Sequence, residues 1–181
     1  MPIAASAAIL FINTTLSAAS PTLSQDEAAA FVQRFCTTLI PAVADYDANA
    51  SDGAWPPDDL AVFGPLVTPE LAELVQQAIE YSAASQAATD GKPPLGDGIP
   101  WTAGDTASDC TAGAITGTAE KPEVEVHYQF FYDSTQGWTD RLVLSRHAGE
   151  WRVDDILFGI FDYASGLRAS LTAVIDEPIP Q

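Results

Sequence analysis

Apolar residues recur along this chain with two periods, and the change from one to the other separates a helical first half from a strand-forming second half. Ala28, Phe31, Val32, Phe35 and Leu39 fall at helical spacing. Ser24 precedes them and Glu27 comes three residues later, the arrangement of a capping box, while Pro41 predicts the end of the run. A second helix is predicted from Thr68 as N-cap and Pro69 at the first helical position, where a missing N–H loses nothing. Its buried face is Leu71, Leu74, Val75, Ala78, Ile79 and Ser82; Glu73, Gln76, Gln77 and Glu80 face water.

From Val124 the period becomes two. Val124, Val126, Tyr128, Phe130 and Tyr132 alternate with Glu125, His127, Gln129 and Phe131, which predicts a long strand with one apolar and aromatic face. Further strands are predicted over Trp138–Arg146 and Trp151–Phe158, the latter with Trp151, Val153, Asp155 and Leu157 on one face. A weaker strand is expected near Cys110–Thr118, and a closing helix near Gly166–Val174 with Ser165 as its cap. Short connections make the strong strands an antiparallel meander. Helices followed by such a run predict an α+β fold, with N-terminal helices packed on a curved antiparallel sheet of about four strands. The Gly-, Pro- and Asp-rich stretch Thr89–Asp109 is the longest irregular segment, and its Ile99, Pro100 and Trp101 are expected to dock onto the body of the fold.

Residues 1–20 carry no charge, and Ile3–Ile12 has the length of a signal-peptide core but not of a bilayer span. Small residues around Ala19 suit cleavage there, so residues 1–19 read as a signal peptide and 20–181 as one α+β domain. No basic residue precedes the apolar run, which leaves a buried N-terminal helix as the alternative. The expected destination is an oxidising compartment, the periplasm. Two cysteines, Cys36 and Cys110, remain. They either pair there or serve as two buried small hydrophobes.

Charge narrows the partners. Seven Lys and Arg stand against 25 Asp and Glu, a formal net charge of −18. Such a surface disfavours nucleic acid and anionic lipid, and it favours a basic protein if a protein is the partner. No span of a mature membrane protein is present, and no cofactor motif stands out: a nucleophile elbow and a phosphate-cradling glycine loop are absent from the sequence. Asp45, Asp47 and Asn49 alternate like the start of a calcium loop, but Ala50 and Pro56 stand where the turn glycine and bidentate glutamate belong, so no metal is expected. Asn49-Ala50-Ser51 is a glycosylation sequon.

The stretch GEWRVDDILF, following a hairpin, resembles the final strand of nuclear-transport-factor-2-like domains. The segments FVQRF, TPELAELVQQA, GIPWTAGD and SGLRASL extend the resemblance over Ser24–Leu171, toward exported bacterial members of that superfamily. The resemblance implies a cone, a curved sheet closed by helices around a pocket. It does not imply one activity, since that superfamily holds isomerases, dehydratases and binding domains. Within such a cone Tyr128, Phe130, Trp138 and Trp151 would line a ligand site. Asp154 or Asp155, with His127 and Tyr128 nearby, would handle protons if the domain were an isomerase or dehydratase. The plainer expectation is that these aromatics pack the core and that Arg141, Arg146 and Arg152 pair with Asp140, Glu150 and Asp154 on the surface. The leading functional expectation is thus an exported, non-catalytic domain binding a small ligand or a basic protein.

Overall fold

A computed structural model describes residues 22–40, 58–89, 91–96, 98–104, 107–130, 132–133 and 135–178. The expected leader over 1–19 and the acidic loop with its sequon lie outside these residues. Helix α1 (Gln25–Leu39) starts with the capping box: the Glu27 amide donates to Ser24 Oγ at 3.3 Å, and the Ser24 amide donates to Glu27 Oε2 at 2.9 Å. A four-residue helix, α2 (Leu60–Phe63), is capped by Asp59; the sequence pattern did not show it. Helix α3 (Pro69–Thr89) begins at Thr68, whose hydroxyl accepts the Leu71 amide, and runs seven residues past Ser82 because Ala83–Ala88 are good helix formers.

The sheet is a four-stranded antiparallel meander in chain order: β1 (Ala107–Gly117), β2 (Pro122–Phe130), β3 (Gly137–His147) and β4 (Glu150–Leu157). The architecture is therefore α+β, as predicted. The β3–β4 turn places Ala148 and Gly149 both at positive φ, the two-residue hairpin geometry that matches strand twist. A single-turn 3-10 helix (Gly159–Phe161) leads into α4 (Leu167–Asp176).

One face of the sheet is apolar and shares a continuous core with the helices. Val124, Val126 and Tyr128 on β2 lie beside Leu142, Asp140 and Trp138 on β3, and Phe31, Phe35, Leu71, Val75, Leu167 and Leu171 pack in the same core. Cys36 on α1 and Cys110 on β1 stand 6.5 Å apart at Cα and form a disulfide, tying the first helix to the first strand.

Strand β4 departs from the expected alternation. Val143 pairs with Asp155 and Leu144 with Val153, so Asp154 is an extra residue and the strand bulges. The bulge resets the pleat. Val153 and Ile156 are the buried residues on either side of it, followed by Phe158, and Asp155 and Leu157 do not join Trp151 and Val153 on the inner face. Both adjacent carboxylates are thereby kept out of the apolar layer.

The bulge also lies between two short segments that cover the outer edge of β4. Leu66 and Thr68 exchange backbone hydrogen bonds with Val153, and Gly166 bridges Leu157. Asp155 Oδ1 accepts the Arg168 amide at 3.0 Å and so caps α4, whose N-cap is Gly166 rather than the expected Ser165. Asp154 accepts from Thr68 Oγ1, Arg168 and Lys121, linking the starts of α3 and α4 to the sheet. No helix among the described residues is long and apolar enough to cross a membrane.

Candidate functional site

Because the sheet is antiparallel, the end of β2, the start of β3 and the end of β4 share one end of it, and three connections meet there: residues 98–104, the β2–β3 hairpin and residues 158–165. Asp140 organises this end. It is completely buried, and its partners among the described residues are uncharged donors. Oδ2 accepts from Thr102 Oγ1 at 2.9 Å, the Ala103 amide at 2.9 Å and Trp138 Nε1 at 3.3 Å; Oδ1 accepts the Gly159 amide at 2.9 Å. The expectation that Asp140 pairs with an arginine on the surface is corrected. Its place opposite Val126 turns it inward, whereas Arg141, one residue on, turns outward to Glu125 at 3.4 Å and Glu123 at 3.8 Å.

Around this carboxylate the aromatic residues stack. Tyr128 lies on Trp138 with ring centroids 4.9 Å apart, Phe130 leans on Trp138 at 4.9 Å, and Tyr132 stacks on Phe130 at 5.2 Å. The Gly104 backbone lies so close over the Trp138 ring that a Cβ there would sit 2.6 Å from it. The Tyr128 hydroxyl lies near Thr102, whose oxygen is already engaged by Asp140 and Trp138, and it is left without a hydrogen bond. Burial, reinforced by the Asp140 carboxylate, pushes the Tyr128 phenol far above its ordinary value. Both Asp140 oxygens are taken by fixed donors, so the cluster holds loops in place rather than presenting a free base.

The residues expected to line a pocket divide accordingly. Tyr128, Trp138 and Trp151 are buried in the core, and Phe130 is half-buried between Trp138 and Tyr132. Trp151 is also covered by the Arg146 guanidinium, 4.5 Å from its ring centroid.

The proton-handling candidates are not brought together in an apolar interior. Asp154 bonds Lys121 Nζ and Arg168 Nη2, each at 2.8 Å. Burial works against its charge, but the Lys121 hydrogen bond and the charges of Arg168 and Lys121 outweigh this and hold its carboxyl below the usual range. Asp155 caps α4 and accepts the Ile156 amide. His127 is exposed on the polar face, its Nδ1 2.8 Å from Thr139 Oγ1 and its ring against the Gly113 backbone. Among the described residues no group of three or more His, Cys, Asp or Glu side chains is placed to hold a metal ion.

Sequence reasoning missed the turn after β4. Gly159 approaches β3 so closely that a Cβ would fall 1.7 Å from the Thr139 carbonyl oxygen, leaving room only for glycine. Asp162 and Tyr163 then both adopt positive φ, at 52° and 58°. The turn is held by hydrogen bonds from the Asp162 amide to Gly159 and from the Tyr163 amide to Phe158, and by the Arg141 guanidinium 4.0 Å from the Tyr163 ring centroid. At its tip Ile160 and Phe161 are 56% and 55% exposed, and Tyr132 across the same end is 76% exposed. The available signal was the run GIFDYASG after a strand, where two large apolar residues sit between turn formers. In comparisons with known proteins, no family model, no curated protein and no solved structure matches this chain.

Proposed function

We propose that this protein is an exported, non-catalytic binding domain whose partner is a basic protein. The observation that carries the reading is how the chain uses its few cations. Lys121, Arg141, Arg152 and Arg168 are held in ion pairs on the polar sheet face and the β4 edge, while Arg34 and Arg146 lie over the rings of Phe31 and Trp151. Glu70, Glu80, Asp176 and Glu177 on and beside the helices are exposed and make no ion pair among the described residues. Acidic groups are therefore partly neutralised on the sheet and left facing water on the helical side, so the net charge of −18 acts as an outward negative field. Such a field speeds encounter with a basic partner and repels nucleic acid.

Export is supported by the Cys36–Cys110 disulfide, which persists in an oxidising compartment. The order of two long helices before a four-stranded meander supports the nuclear-transport-factor-2-like reading. The placement of Asp154, Asp155 and His127 gives the isomerase or dehydratase reading no buried carboxylate free of a cationic or structural partner among those residues. The test is stopped-flow association of the oxidised protein with a partner isolated by native pull-down from its own compartment. The on-rate is expected to fall steeply between low and physiological salt. An on-rate indifferent to salt, or a partner with an acidic surface, would sink the reading.

A further inference from the structure

We infer that the Ile160–Phe161 turn, together with Tyr132, is the contact surface itself, and that it takes an apolar or aromatic segment flanked by Lys or Arg. This rests on the basic-partner reading and names the surface that reading leaves open. Three features of the turn work against folding stability. A carboxylate, Asp140, is wholly buried to fix the Gly159 amide. Two consecutive non-glycine residues, Asp162 and Tyr163, are held left-handed, a conformation L-residues adopt only at a cost. Two large apolar side chains are then left more than half in water. Strain that the surroundings enforce and that produces exposed apolar groups is characteristic of a preorganised recognition element.

The chemistry of the occupant is set by the surroundings. Residues 98–104, 132–133, 135–137 and 158–166 contain no Lys or Arg, while Asp133 and Asp162 flank the apolar side chains. Hydrogen bonds from Thr135, and then Gln136, to Asp133 hold its carboxyl below its ordinary value, so it carries charge at any physiological pH. The one cation against the turn among the described residues, Arg141, is engaged by Glu123, Glu125 and the Tyr163 ring, so an apolar tip flanked by Asp133 and Asp162 complements an apolar anchor flanked by cations and repels a second copy of this acidic chain.

The probes are two synthetic peptides of equal positive charge, one alternating Lys with Tyr and Leu, the other alternating Lys with Ser, titrated into the isotopically labelled oxidised protein and followed by amide NMR. The Lys/Tyr/Leu peptide is expected to bind about tenfold more tightly and to shift the amides of 159–164 and Tyr132. The double variant Ile160→Ser/Phe161→Ser is expected to remove that tenfold advantage and leave Lys/Ser binding unchanged, and Tyr132→Ser to remove part of it. Salt-sensitive binding of both peptides with equal affinity, or with shifts confined to α3 and α4, would overturn this surface while leaving the basic-partner reading intact. Failure of both peptides to bind, or binding insensitive to salt, would overturn that reading and this surface with it. Self-association that disappears in the double variant would assign the turn to a second copy and overturn the proposal.

Discussion

The Asp140 carboxylate accepts the Gly159 amide at 2.9 Å from the opposite side to Thr102 and Ala103, so one buried side chain fixes two loops to the third strand. Removing it would leave the Ala103 and Gly159 amides and the Thr102 hydroxyl without their acceptor, while the Trp138 indole N–H would keep Thr102 Oγ1. Asp140→Ala is therefore expected to destabilise the protein by about 3 kcal/mol or more, and Asp140→Asn by less, since its amide keeps one acceptor oxygen. Urea midpoints measure the loss, and near-UV circular dichroism reports whether Trp138 loses its fixed surroundings.

Asp155 supplies the cap that Gly166 has no side chain to provide. Asp155→Ala is expected to cost about 1 kcal/mol, and Asp155→Asn only a few tenths, because the asparagine oxygen still accepts the Arg168 amide. Thermal unfolding of the two variants should keep that order. Equal losses would mean that the charge, not the acceptor, holds the start of α4.

Two aspartates give pH dependences of opposite sign. Burial raises the Asp58 carboxyl to about 6, against the Ile99 amide that favours its charged form. Between the ordinary 3.8 and about 6 the folded protein keeps a proton that the unfolded chain has released, so this group's contribution is full below 3.8 and is lost as pH rises through about 6. Asp58→Asn is expected to flatten that loss and raise neutral stability by about 1 kcal/mol, the partial exposure of the group discounting the full shift. Asp154 behaves oppositely: its carboxyl lies below the ordinary 3.8, so its contribution is present above that value and is lost as pH falls through the folded value. Urea midpoints for Asp58→Asn and Asp154→Asn across the acid range separate the two.

The Cys36–Cys110 disulfide closes a loop with a sequence separation of 74. In the chain-entropy model Cys36→Ser/Cys110→Ser loses about 4 kcal/mol, chiefly by freeing the unfolded chain. Denaturant titration of the oxidised protein, the reduced protein and the double variant measures the loss. A reduced protein as stable as the oxidised one would refute a structural role for the bond.

The main elements were legible in the chain itself. A capping box at Ser24 and Glu27, a proline at the first turn of α3 and strict alternation from Val124 to Tyr128 are local signals, and local hydrogen bonding and one-sided burial act on them directly. The sequence also determined the net charge of −18. Tertiary structure decided the rest. Asp140 and Asp154 look alike in sequence, each an acid beside an arginine or another acid in a strand. One is buried under two loops and the other lies at a bulge beside Lys121 and Arg168, because strand register and the position of one extra residue set which way a side chain points. Register depends on pairing between distant segments, and the exposed tip at Ile160 and Phe161 depends on loops brought together only when the sheet forms. No local pattern of residues encodes the register, and the run GIFDYASG signals a turn but not that its apolar residues stay exposed.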